Sequence, residues 1–108
     1  MDMEALFFTQ GDDIVVTARF PDIPDGNGMT ATFYIKPDKT TPDMDPSVLT
    51  YDSDVVVDPD NTGATLAKFS IPSEDTQLTG AFWWKVRVFD PFSNVRTANQ
   101  GTLLVEAA

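Results

Sequence analysis

The chain has 108 residues, which fits one domain with one real core, and it carries no cysteine and no histidine. That removes disulfide support, the commonest metal ligand and the commonest general base together. Seventeen acids against seven bases give a net charge of -10, a poor match for a nucleic-acid backbone or an anionic membrane.

Taken in order, the acidic start Met1-Asp2-Met3-Glu4 lacks the basic region of a signal peptide. Ala5-Leu6-Phe7-Phe8-Thr9 is a short apolar run, expected as an edge strand. Gln10-Gly11-Asp12-Asp13 turns the chain. Ile14 to Phe20 alternates with Ile14, Val16, Ala18 and Phe20 inward, and its β-branched residues suit a half-buried pleated surface. Pro21 to Gly28 is dense in turn residues and reads as a loop. Thr30 to Lys36 alternates again, with Ala31, Phe33 and Ile35 inward. Pro37 to Pro46 holds three prolines and three aspartates and reads as an extended excursion.

Val48 to Tyr51 and Val55 to Val57 are short strands, separated by the polar Asp52-Ser53-Asp54. Asp58 to Gly63 is a turn. Thr65 to Ile71 is a strand with Ala67, Phe69 and Ile71 inward. Pro72 to Leu78 carries the one helical signal: Ser73 is placed to cap, and Glu74 and Asp75 fall in the first turn, where the helix dipole favours acids. Asp90 to Asn94 turns the chain once more. Val95 to Glu106 returns, with Gly101 expected as a bulge. No apolar run approaches the roughly 18 residues that span a bilayer.

Between the last two turns lies Gly80 to Asp90, the stretch on which the rest is organised. It alternates throughout. Phe82, Trp84, Val86 and Val88 form a purely apolar set that reads as the core face of a central strand. Trp83, Lys85, Arg87 and Phe89 form the other face. Two large aromatics interleaved with two cations are unusual for a solvated surface. Three readings follow: a protein contact surface, because aromatics and arginine are enriched where partners dock; a platform on which Trp83 stacks against a sugar ring; or a face covered by the loop from Pro37 to Pro46. The spacing of seven or eight short strands, with turn residues between them, predicts an all-β fold, an immunoglobulin-like antiparallel β-sandwich spanning residues 1–108.

Chemistry-bearing constellations are thin. Asp58-Pro59-Asp60-Asn61-Thr62-Gly63 starts like a calcium loop, but the twelfth position is Phe69 where a bidentate acid is needed, so a plain turn is the expectation. Asp12-Asp13, Asp22/Asp25 and Asp43/Asp45 are acid pairs in loops, expected to be solvated rather than paired across a glycosidic bond. No nucleophile-and-base set can be assembled. No catalytic residue, cofactor or metal is therefore expected.

The turn glycines and strand patterns together resemble a known group. The stretches are Gln10-Gly11-Asp12-Asp13, Met29 to Lys36, Thr62 to Ile71 followed by Asp75-Thr76, Leu78-Thr79-Gly80, and Arg96 to Leu103. They resemble the small immunoglobulin-like domains of tailed-bacteriophage virions, such as the N-terminal domain of baseplate upper proteins and stand-alone head or tail accessory proteins. The resemblance spans nearly the whole chain but consists of turn glycines and alternation. The excursion from Pro37 to Pro46 departs from the short hairpin usual there. The resemblance implies an adhesive, non-enzymatic virion part. The first expectation is a decoration protein on the capsid exterior, with the major capsid protein and copies of itself, as a trimer, for partners. A minor tail or baseplate protein is the alternative, and a carbohydrate-binding module that takes a host surface glycan is the alternative of another class. Leu6, Phe7 and Phe8 at the N-terminal edge, with Trp83, Lys85, Arg87 and Phe89, are the contact candidates, and the chain ends are expected to be held by neighbouring subunits.

Overall fold

A computed structural model describes residues 5–20, 28–59, 61–77, 79–90, 92 and 94–108, leaving aside the side chains of 61–63 and 98. The loop read at 21–27, its acids, and the chain start at 1–4 lie outside the described residues. Among the described residues the chain forms eight strands: β1 (Leu6–Thr9), β2 (Ile14–Phe20), β3 (Thr30–Lys36), β4 (Leu49–Asp54), β5 (Val56–Asp58), β6 (Asn61–Ile71), β7 (Gly80–Phe89) and β8 (Val95–Glu106). One sheet has the order β1-β8-β7-β3-β4, and the other the order β2-β6-β5. This is the division of an immunoglobulin-like sandwich: a three-stranded layer faces a layer centred on β8-β7-β3, with β1 and β4 added at its edges. Pairing is antiparallel except at one edge, where β1 runs parallel to β8. The expected antiparallel sandwich thus gains one parallel edge pair. Residues 10–13 carry the chain across to the other sheet, so β1 never folds back on its successor.

The core lies between the layers and is aromatic at its centre. Phe33 is fully buried and stacks on Phe69 at 5.6 Å and on Trp84 at 5.9 Å, while Tyr51 sits tilted beside it at 6.4 Å. Phe69 comes from β6 and Phe33 and Trp84 from β3 and β7, so the stack bolts one sheet to the other. Ala67, Ile71, Val86, Val88 and Leu103 fill the remainder. The inward sets expected for β3, β6 and β7 all face this core.

Local details depart from expectation for identifiable reasons. The polar Asp52-Ser53-Asp54 belongs to β4, which extends to Asp54. As an edge strand β4 leaves Asp52 and Asp54 in solvent, and Thr32 Oγ1 donates to Asp52 Oδ1 at 2.7 Å. Gly101 is not a bulge; it pairs in register with Trp84. The extra residue is at 98, because Val86 faces Asn99 while Arg87 faces Thr97. The helical signal becomes a single 3-10 turn, Ser73–Thr76, and the Ser73 side chain does not cap it. Instead the Ser73 N–H donates to Asp13 Oδ1 at 2.7 Å, and buried Thr76 donates to the Asp12 carbonyl at 2.9 Å. The β1–β2 turn, which uses Gly11 at φ 84, is thereby stitched to the turn before β7.

Candidate interaction surfaces

The unusual face of β7 is a covered one. Register places Lys36 opposite Trp83, Tyr34 opposite Lys85 and Thr32 opposite Arg87, so three cations and two aromatics share one side of the β3–β7 pair. Residues 37–48 fold over them. Asp43 of that segment accepts hydrogen bonds from Lys36 Nζ at 2.9 Å, from Lys85 Nζ at 2.7 Å to each oxygen, and from Arg87 Nη1 at 3.1 Å. Lys39 lies over the Trp83 ring at 5.3 Å, and Lys85 over the Tyr34 ring at 5.6 Å. Trp83 is left 8% exposed and Lys36 4%.

The aspartates of this segment divide the work. Asp38 Oδ1 accepts from the N–H groups of Thr40 and Thr41 at 2.8 and 2.9 Å, and Asp45 Oδ1 accepts from Ser47 N–H at 2.9 Å. These are side-chain turns that replace the missing strand hydrogen bonds. The side-chain hydrogen bonds of Thr40 and of Ser47 hold the two carboxyls below the ordinary range. Asp43 is different: burial pushes its carboxyl up, but the bonds and charges of Lys85 and Lys36 outweigh that and bring it to about 2. Burial, and then the Asp43 charge, raise the Tyr34 phenol, with Arg87 opposing. Arg87 Nε is buried without a hydrogen-bond partner, so the cluster is rich in donors.

Each contact candidate can now be placed. Trp83 is buried beneath the segment 37–48 and does not stand as an open ring on the surface. Lys85 and Arg87 are committed to Asp43, and Phe89 is half-buried farther along the same face. At the β1 edge the three residues separate by the strand period. Leu6 packs against the core and Phe8 is part of it, whereas Phe7 is 67% exposed. Phe7 lies beside Leu104, itself 38% exposed, and Leu104 is opposite the exposed Ala81. An apolar strip thus crosses β1, β8 and β7 on the outer face, beyond the end of the covering segment.

Sequence reasoning missed Tyr34, Lys36, Lys39 and Asp43. The signal was present: once Lys36 and Lys85 share a face, a counter-charge must come from nearby, and the acidic segment directly after Lys36 supplies it. Among the described residues, no group of three or more carboxylates is placed to hold a metal ion. Asp58, which opened the calcium-like stretch, is buried and lies 3.5 Å from Arg19 Nε.

Fold and surfaces together define the class: an all-β sandwich with one covered face and, among the described residues, an exposed apolar strip at the β1 edge. No protein-family model matches the chain, and no curated protein matches it in sequence.

Proposed function

We propose that the chain is a bacteriophage virion structural protein, a decoration protein that binds the outside of the major capsid shell and stabilises it. The observation that carries this reading is the strip of Phe7, Leu104 and Ala81. It is apolar, exposed and set on a sheet edge whose backbone groups are open to a neighbour. The immunoglobulin-like sandwich agrees with the resemblance to tailed-phage virion domains, and a charge of -10 suits an accessory on an outer surface. In this role the protein adheres and does not catalyse. Lys85 and Arg87 brace the covering segment, and Leu6 and Phe8 hold β1 in place so that Phe7 is presented. A place in the tail or baseplate uses the same strip and differs in copy number, a handful per particle against hundreds. A glycan platform on Trp83 has the least support, because that ring is already covered.

The test is addition of purified protein to expanded capsids that lack it. Binding with a higher capsid disruption temperature is expected. Phe7→Ser should abolish both effects while the variant's own unfolding free energy changes by less than about 0.5 kcal/mol, as is usual for exposed sites. Absence of binding to purified heads overturns the capsid assignment, and binding to tails alone moves the protein to the tail.

A further inference from the structure

The sandwich has four sheet edges, and they are not equally defended. β1 offers four residues and β5 three, and β5 ends in Asp58. β4 offers six but carries Asp52 and Asp54. Short edges and charged edges are the usual protections against unwanted pairing. β2 has neither. It is seven residues long, Ile-Val-Val-Thr-Ala-Arg-Phe, with no proline, no carboxylate and an unbroken register against β6. In a chain of net charge -10 it is the longest edge strand among the described residues that carries no acid, β1 being acid-free but only four residues long.

Among the described residues, the space beside it is also open. A cavity of about 280 Å³ lies between the layers along β2, lined among others by Leu6, Val16, Ala18, Trp84 and Asn99. Among the described residues, the half-buried Leu6, Val16 and Ala18 border it, between β2 and the β1–β8 edge opposite.

We infer that β2 is a self-association edge, at which a second copy adds its own β2 antiparallel about a twofold axis and joins the two three-stranded sheets into one of six. Full pairing of Ile14–Phe20 centres the axis on Thr17. Inward, Ile14 then meets Phe20 of the partner copy, and Val16 meets Ala18, apolar against apolar. Outward, Val15 meets Arg19 and Thr17 meets Thr17. No like charges oppose one another, and the contact is self-complementary, as a twofold interface must be. The inference is independent of the virion reading, since it concerns only copies of this chain.

Two substitutions with the same change in charge give opposite results under this geometry. Thr17→Asp sets two carboxylates directly across the axis. Inside its own copy the new side chain faces Lys68, so folding is preserved. Val15→Asp, at a position 64% exposed, sets a carboxylate opposite Arg19 of the other copy. Sedimentation equilibrium of the full chain should show a dimer. Thr17→Asp should weaken it by about tenfold or more, and Val15→Asp should tighten it, with melting curves confirming that both variants fold. A wild-type chain that is monomeric at every soluble concentration overturns the inference. So does a trimer, a dimer indifferent to Thr17→Asp, or one that Val15→Asp dissociates.

Discussion

The two faces of β7 are built from similar residue types and held by different physics. Inward, Trp84 stacks on Phe33, which stacks on Phe69, and no charge takes part. Outward, Trp83 is covered as well, but by a segment that one carboxylate ties to three cations. Burial of apolar area is indifferent to pH and is shared among many contacts. The Asp43 node is a single point: its loss frees the cover and leaves Lys36, Lys85 and Arg87 facing one another. The inner face therefore sets whether the chain folds, and the outer face sets whether Trp83 is shielded.

Deleting the centre of the inner face should have the largest effect. Phe33→Ala removes a fully buried ring from the middle of the stack and is expected to cost about 3–5 kcal/mol in denaturant unfolding, as large-to-small aromatic changes in cores do. Loss of less than about 1 kcal/mol would mean that the two layers are held elsewhere. Asp43→Asn should cost less, about 2 kcal/mol, because Arg87 keeps a third of its side chain in water and can be rehydrated. Its distinguishing mark is local. Acrylamide should quench tryptophan fluorescence more strongly, and proteases should cut within 37–48, while the sandwich stays folded.

Acid should reproduce that variant in the native chain. The folded carboxyl of Asp43 lies at about 2, below its ordinary 3.8, so its charge stabilises the fold above pH 4 and that contribution is lost as the pH falls through about 2. The difference in stability between wild type and Asp43→Asn should be about 2 kcal/mol at neutral pH and shrink toward zero between pH 4 and pH 2. Taking the difference cancels the other carboxylates that titrate in the same window. A gap independent of pH would show that Asp43 works by packing and not by charge.

How much of this was legible follows the same division. Alternation assigned the inward residues of β3, β6 and β7, because a strict period of two leaves little choice once one face is apolar. The layout of the sandwich was readable from the spacing of the turns. The outer face resisted: alternation says that Trp83 and Lys85 point away from the core but not what lies over them, and a loop without periodicity carries no address. Asp38 and Asp45 look the same as Asp43 in sequence; only the tertiary placement of Lys36 and Lys85 separates the anchor from the two local turns. Gly101 misled because glycine in a strand suggests a bulge, whereas here it pairs with Trp84 and the register slips three residues earlier. The division of Leu6, Phe7 and Phe8 into packed, exposed and buried was implicit in the strand period, but the direction of β1 decides which of them faces out.

The smallest effect tests a link between the two regimes. Tyr51 lies against Phe33 with its ring while its hydroxyl donates to Asp75 Oδ2 at 2.8 Å, in the turn that leads into β7. Burial and the Asp75 carboxylate push its phenol well above the ordinary range, so it stays protonated and a donor. Tyr51→Phe keeps the ring in the aromatic cluster and deletes only that hydrogen bond. A loss of about 1 kcal/mol is expected, since a bond to a charged acceptor is lost but Asp75 can turn to water. The Asp43 gap between wild type and Asp43→Asn should be unchanged in a Tyr51→Phe background, because the two sites share no partner. If the double variant loses much more than the sum, the covering segment and the turn before β7 are mechanically joined, and the two faces of β7 are one unit.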